Sequence, residues 1–242
     1  MKKLFSLVMM MLPMMGSVCM AQNIQLHYDF GRHIYSDDEA GRQTATATFE
    51  HFRADKLGSW FYFIDLDIDN KGMAGAYTEI SREFNFYKPC DSGAFAAHVE
   101  YNGGLSRGAG SFQQASLLGA AWNGHSADFS KTYSIQAMYK QFFGDNTGRS
   151  GYASFQITGV WGLTFASGKC TFSGFADLWS EKAWWGGRHL VFLSEPQIWY
   201  NVTPHFSVGS EVEVSSNFIY SGQSGKNDKF YVNPTLAVKY NF

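Results

Sequence analysis

The sequence is poor in charge and in cysteine. Only 17% of its 242 residues are Asp, Glu, Lys or Arg, a share that disfavours charged amphipathic helices. No block of like charges is present, and the formal charge is −2, so the chain is not built to neutralise a phosphate backbone and a nucleic-acid polymer is not an expected partner. The three cysteines, Cys19, Cys90 and Cys170, have no metal-binding spacing and are too few to staple a small secreted module. No G-x-S-x-G, H-E-x-x-H, Walker loop or dinucleotide fingerprint occurs, so nothing calls for an enzyme, a cofactor or a metal. What is abundant is glycine (25 residues) and aromatic side chains (17%), within a chain that is 45% apolar. That balance excludes wholesale disorder and favours strands and turns.

The first segment reads as an export signal. Lys2 and Lys3 precede an uncharged run from Leu4 to Met15, and small or polar residues then lead to Ala21, a suitable cleavage position. Pro13 interrupts a run already shorter than the roughly 20 residues a spanning helix needs, which argues against a membrane anchor. The expected organisation is a signal peptide over 1–21 and one domain over 22–242.

Beyond the signal, the dominant period is two. At the C-terminus Val232, Pro234, Leu236, Val238, Tyr240 and Phe242 are apolar, whereas Asn233, Thr235, Lys239 and Asn241 are polar, so one strand face is oily and the other wet. Alternation between Gly-, Asn-, Asp- and Ser-rich turns predicts twelve strands: 24–31, 43–54, 59–69, 74–87, 93–102, 112–122, 128–142, 151–165, 170–181, 188–200, 205–216 and 229–242. An even number of roughly ten-residue alternating strands predicts an all-β fold, a single transmembrane β-barrel of about 12 antiparallel strands in the outer membrane of a Gram-negative bacterium. Both termini are then periplasmic, and the longer loops are mostly outside. A soluble sandwich or lipocalin-like barrel has the same period but the opposite sidedness, with charge outward. Trp60, Tyr62, Phe84, Phe86, Tyr101, Phe129, Phe165, Tyr200, Tyr240 and Phe242 fall on the apolar parity near strand ends, where interfacial girdles belong.

The opposite parity lists the expected lumen. It contains eleven acids: Asp29, Glu50, Asp65, Asp67, Glu79, Glu83, Glu100, Asp177, Glu195, Glu211 and Glu213. Against them stand Lys140 and Lys239, with Gln25, His27, Ser81, His98, Gln136 and Gln197 beside them. Such a lining repels anions and offers acceptors to solutes rich in hydroxyl or amino donors. Phe61, Phe63, Phe175, Trp179 and Trp199 share that wet face, where their planes suit stacking on a flat ring at about 1–3 kcal/mol per base. Bracing of the lumen, or a parity slip at a bulge, accounts for them equally. Arg82 falls on the lipid parity, where it needs an interface or snorkelling.

Several segments carry a family resemblance. Ser59-Trp60-Phe61-Tyr62-Phe63-Ile64-Asp65-Leu66-Asp67, Ala76-Tyr77-Thr78-Glu79-Ile80-Ser81, Gly174-Phe175-Ala176-Asp177-Leu178-Trp179 and Glu195-Pro196-Gln197-Ile198-Trp199-Tyr200 resemble the Tsx-like family of nucleoside-specific outer-membrane channels. So do Val208-Gly209-Ser210-Glu211-Val212 and the ending from Asn233-Pro234 to Phe242. The resemblance spans strands three, four and nine to twelve, and gives no match from about 103 to 165. It implies a monomeric twelve-stranded barrel, surrounded by outer-membrane lipid, with a narrow aromatic passage for nucleosides. The implied contacts are Phe61, Phe63, Phe175, Trp179 and Trp199 stacking on bases, with Asp65, Asp67, Glu79, Asp177, Glu195, Gln197 and Glu211 in the polar lining.

Two other functions fit the same chain. His205-Phe206-Ser207 has the His-x-Ser spacing of some outer-membrane lipid hydrolases, but it follows Pro204 at a turn and its parity is inward, which favours an ordinary turn histidine. A non-conducting surface barrel acting through loops such as Trp184-Trp185-Gly186-Gly187 and 219–228 is the other alternative. Cys90 and Cys170 lie at the periplasmic ends of strands far apart around the ring, and a bridge needs Cα atoms within about 7 Å, so two free thiols are expected.

Overall fold

The computed structural model describes residues 19–107, 110–111, 113–145 and 148–242. The expected signal peptide lies outside the described residues up to position 18. The strands are β1 (Cys19–Asp29), β2 (Ala45–Asp55), β3 (Gly58–Asp69), β4 (Gly72–Cys90), β5 (Gly93–Ser106), β6 (Gly110–Ser111) and β7 (Ala115–His125). They continue with β8 (Lys131–Phe142), β9 (Tyr152–Phe165), β10 (Cys170–Lys182), β11 (Arg188–Ser194), β12 (Gln197–Asn201), β13 (Phe206–Ser216) and β14 (Phe230–Asn241). A single helical turn, α1 (Gly31–Ile34), follows β1.

β11 and β12 are two parts of one stave, since each pairs with both β10 and β13. The two-residue β6 only prolongs the edge of β5. β1 meets β14 in antiparallel register from Asn23↔Asn241 to Asp29↔Thr235, and β9 meets β10. The sheet is therefore a closed barrel of twelve antiparallel staves with no open edge. Closure pairs the main chain around the ring, as hydrocarbon surroundings require.

Sidedness follows the sequence period. In β1, Asn23, Gln25, His27 and Asp29 are buried while Ile24, Leu26 and Tyr28 are exposed. In β14, Asn233, Thr235 and Ala237 are buried, yet Leu236 is 63% exposed. Leu118, Ile135, Ile157, Leu190 and Ile198 continue the outward apolar belt. Tyr28, Tyr101 and Tyr139 border it at one end, and Trp60, Phe84, Phe165, Tyr200 and Tyr240 at the other, all exposed. A water-soluble barrel sorts its side chains the other way, so this outer wall is suited to lipid.

Arg82 shows how one charge is carried on that wall. Its guanidinium lies 5.1 Å from the Trp60 ring and 4.9 Å from the Phe84 ring, and its Nη2 donates to Asp55 Oδ1 at 2.9 Å in the adjoining turn. Two aromatic faces and one carboxylate at the barrel end thus hold a group the hydrocarbon would reject.

The strand bounds differ from expectation where the ladder is irregular. β4 runs on to Cys90 because register shifts between Asn85 and Tyr87, and between Tyr87 and Cys90, absorb extra residues before the turn to Gly93. The strand expected over 112–122 is Ala115–His125 instead. Gln113 donates its side-chain amide to Phe143 O (2.9 Å), and Gln114 O accepts from Phe143 N (2.9 Å), so both serve the neighbouring connection. The stave expected unbroken over 188–200 is interrupted at Glu195-Pro196, since proline has no N–H for the ladder. There Glu195 N donates to Phe175 O and Pro196 O accepts from Val212 N. Cys90 and Cys170 are both free thiols.

One end of the barrel carries the connections 30–44, 107–114, 143–151, 183–187 and 217–229 with the short turn 70–71. The other carries the tight turns 56–57, 91–92, 126–130, 166–169 and 202–205. The first is the loop end of the barrel and the second the turn end.

Candidate functional site

The enclosed face of the staves forms a polar interior with a pattern of its own at each level. Near the turn end, β1, β2, β12, β13 and β14 supply a hydrogen-bonded series. Asn23 Nδ2 donates to Glu50 Oε1 (3.0 Å), and Gln25 Nε2 donates to Asn23 Oδ1 (2.9 Å). His27 bridges Gln25 Oε1 (3.0 Å) and Thr235 Oγ1 (3.2 Å). Beside them Trp199 Nε1 donates to Gln197 Oε1 (2.9 Å), and Gln197 Nε2 to Glu211 Oε2 (2.6 Å). The Lys239 ammonium stands 4.0 Å from the Trp199 ring centre. Gly209 makes room for that indole, since a Cβ there would fall 2.6 Å from the Trp199 ring and 2.2 Å from Ile198 O.

The wall made by β2, β3 and β4 brings acids and aromatics together. Thr48 Oγ1 donates to Asp65 Oδ1 (2.5 Å), Thr46 Oγ1 to Asp67 Oδ1 (3.0 Å), and the Tyr77 hydroxyl to Glu79 Oε1 (2.8 Å). Phe61 and Phe63 have ring centres 6.1 Å apart, and Phe63 and Tyr77 are also 6.1 Å apart, which makes a row of three half-buried rings. In β5, His98 sits between Glu83 Oε1 (3.2 Å) and Glu100 Oε2 (3.0 Å), while Asn123 Nδ2 donates to Glu83 Oε2 (2.6 Å).

Across the barrel, β8, β9 and β10 hold a second lysine. Lys140 Nζ donates to Gln156 Oε1 (2.7 Å), Gln156 Nε2 to Thr158 Oγ1 (3.1 Å), and Thr158 Oγ1 to Asp177 Oδ1 (2.5 Å). The same ammonium lies 4.8 Å from the Trp179 ring and 5.0 Å from the Phe142 ring, and Trp179 Nε1 donates to Glu181 Oε2 (3.0 Å). Toward the loop end these rings join an apolar cluster of Ala115, Leu117, Met138, Tyr152 and Val191.

At the loop end, the connection 30–44 is fastened to the barrel mouth. Arg42 reaches Asp29 Oδ2 (2.7 Å), Glu213 Oε2 (3.0 Å) and Glu39 Oε2 (3.5 Å). Burial alone lowers the Arg42 pKa, but the Glu213 charge and the hydrogen bond and charge of Asp29 outweigh it and hold the guanidinium ionised. Asp38 accepts from Ser221 Oγ (2.5 Å) and Lys229 Nζ (2.9 Å), tying this connection to 217–229. Those two hydrogen bonds keep the Asp38 carboxyl below its ordinary value. Gly31 packs where a Cβ would lie 2.5 Å from Asn233 Oδ1, so a side chain there would force the mouth apart.

Residues 21–242 match the family described as "Domain of unknown function (DUF5020)". The chain belongs to the DUF5020 family. No curated protein matches it by sequence. In fold, this DUF5020 chain is similar to the NanC porin, with a TM-score of 0.58 at 13% identity over 92% of this chain and 100% of that one. It is also similar to the KdgM porin, with a TM-score of 0.52 at 12% identity over 92% and 99%. KdgM in complex with disordered oligogalacturonate gives 0.51 at 11% over the same shares. At such identities the likeness is one of architecture: an outer-membrane β-barrel of porin type. The Tsx-like resemblance rests on the segments quoted for it; the family match is to DUF5020.

Eleven of the twelve lining residues named from the sequence fall on the inward parity of their staves, and the twelfth, Glu195, stands at the interruption between β11 and β12. Phe61, Phe63, Asp65, Asp67 and Glu79 share the β3–β4 wall, Phe175, Asp177 and Trp179 lie on β10, and Glu195, Gln197, Trp199 and Glu211 stand on the β11–β13 side. Two of the five aromatics among them are not open surfaces. Trp199 is 0% exposed and Trp179 is buried, and each has an ammonium on its face. Phe61, Phe63 and Phe175 remain half-buried. Gln156, Thr158 and Asn123 were missed, although Gln156 and Thr158 alternate with the outward Phe155 and Ile157 and were legible by period. Arg42 sits in a connection, where no period marks it.

The hydrolase pair is not assembled. Ser207 is fully buried and its hydroxyl donates to Asn201 Oδ1 (2.8 Å), whereas His205 faces Asn241 O (2.9 Å) and stacks on Tyr240.

Proposed function

We propose that this chain is an outer-membrane channel for passive, selective diffusion of nucleosides or similar small, neutral, hydroxyl-rich solutes. It acts as a monomer exported by the signal over 1–21, with the loop end facing outward. The observation that carries this reading is the coincidence, on the β3–β4 wall, of the ring row Phe61–Phe63–Tyr77 with the acceptors Asp65, Asp67 and Glu79. A flat base stacks on such rings while ribose or amino donors reach the carboxylates beside them. The predominance of carboxylates opposes phosphorylated or otherwise anionic solutes. Phe175, Glu195, Gln197 and Glu211 extend the lining on the far side. Trp179 and Trp199 act as braces whose faces are occupied by Lys140 and Lys239.

The test is uptake into liposomes carrying the chain without residues 1–21. Uridine and adenosine should enter faster than the matching nucleotides, and Phe63→Ala should slow nucleosides more than glycerol. Equal rates for nucleoside and nucleotide would defeat the selectivity. A barrel that carries no single-channel current would instead be a surface receptor, for which Trp184, 69% exposed at the loop end, is the available contact.

A further inference from the structure

We propose that the lumen also takes primary alkyl ammonium ions, as a second cargo class beside nucleosides. The inference rests on the channel reading but not on nucleoside selectivity. It begins with inward carboxylates that no ion pair reaches. Among the described residues, ion pairs reach Asp29 and Glu213 through Arg42 and Glu83 and Glu100 through His98, while Glu211 has only the His27 ring, a cation only when protonated, 3.8 Å away. None reaches Glu50, Asp65, Asp67, Glu79, Asp177 or Glu195. The hydrogen bonds to the first five come from neutral donors, namely Asn23, Thr48, Thr46, Tyr77 and Thr158. Enclosed carboxylates without cationic partners attract a mobile cation.

A second observation points to a ligand. The Glu100 side chain is 9% exposed; its Oε2 bonds His98, while its Oε1 has no hydrogen-bond partner. Glu100 stands in register with Ser81 of β4, two residues from Glu79 on the same inward face. Among the described residues no three His, Cys, Asp or Glu side chains converge to hold a metal ion, which favours an organic cation.

The barrel itself shows how it holds that chemical group. Lys140 and Lys239 place their ammonium groups on Trp179 and Trp199, 4.8 and 4.0 Å from the ring centres, and among the described residues neither pairs directly with a carboxylate. Lys140 stands two residues from the loop end of β8, and Lys239 two residues from the turn end of β14. One aromatic seat for an alkyl ammonium thus lies toward each mouth, with the unpaired acids between. A primary amine presents the same head and the same methylene stem as lysine.

Planar bilayers containing the chain without residues 1–21 test this. In a KCl gradient the reversal potential should show potassium favoured over chloride. 1,4-Diaminobutane should reduce the potassium current at concentrations where 1,4-butanediol, its neutral isostere, has no effect. Glu79→Gln with Glu100→Gln should raise the half-blocking diamine concentration about tenfold. Lys140→Met should lower it several-fold by freeing the Trp179 face, a change of opposite sign that general damage to the barrel would not give. If diamine and diol act alike, or if the barrel prefers potassium without responding to the amine, the ammonium inference falls and the channel stands. If no current flows in any condition, both fall.

Discussion

The interior has two walls of different character. On β7, β8 and β9, with Trp179 and Val191 on the adjoining β10 and β11, the loop half is packed with Ala115, Leu117, Met138, Phe142 and Tyr152. On β1 to β4 and β13 to β14 the inward positions carry Asn23, Gln25, His27, Glu50, Asp65 and Glu211, each tied to a polar neighbour. The first wall is a small apolar core, in which inward apolar side chains of neighbouring staves bury one another. The second is a hydrogen-bonded polar surface. The apolar wall braces the barrel; in the proposed channel the polar wall meets the solute.

The largest effect that would break this comparison concerns stability. Leu117→Ala removes buried methyl groups from the apolar wall and should cost about 2–5 kcal/mol, read as a lower urea midpoint in detergent or lipid. Thr48→Val on the polar wall leaves Asp65 without its donor and should cost about 1–3 kcal/mol. It should disturb solute flux more than folding. If Leu117→Ala alters nucleoside uptake while leaving the midpoint unchanged, the division of labour is wrong.

A smaller effect concerns the mouth. Arg42→Met strips Asp29, Glu213 and Glu39 of their shared cation. Charge-assisted hydrogen bonds of this kind contribute about 1.5–3 kcal/mol, and Arg42 is only 19% exposed. Limited proteolysis should cut the connection 30–44 faster in the variant, with the β strands still protected. Unchanged cleavage would show that α1 and the Asp38 contacts hold the loop unaided.

The two walls were unequally legible in the sequence. Alternation is strong where one face is apolar and the other charged, as in β14, so the twelve staves and the sidedness of Asp65, Glu79 and Glu211 could be read from period alone. The stretch 103–165 alternates more weakly, because Leu117, Met138 and Phe142 face inward while Leu118 and Tyr139 face outward, leaving apolar residues on both parities. The packed wall was therefore hidden by its own composition. Bulges at Asn85–Tyr87 and the break at Pro196 moved strand ends, since an extra residue or a missing N–H acts on the ladder rather than on the hydrophobic pattern. Arg42 lay beyond either signal: a loop residue acquires its partners only when the chain closes over the mouth.

The finest test uses pH at that mouth, where Asp38 and Glu39 are adjacent and shifted in opposite directions. The Asp38 carboxyl is held below its ordinary 3.8 by hydrogen bonds from Ser221 and Lys229. Its contribution is present above 3.8 and is lost as pH falls through the lower folded value. Burial pushes the Glu39 carboxyl above its ordinary 4.5, against the hydrogen bond from Asn233 and the charge of Arg42. Its contribution is complete below 4.5 and is lost as pH rises through the higher folded value. Exchange of the Gly222 amide, which donates to Asp38 O at 2.8 Å, reports on the joint between the two connections. Asp38→Asn should loosen it at pH 7 and make little difference near the bottom of the carboxylate range. Glu39→Gln should tighten it slightly at pH 7 and not at pH 4, because the native side chain is then already neutral. Effects of one sign for both variants, or effects independent of pH, would mean that the fastening depends on shape rather than on these two charges.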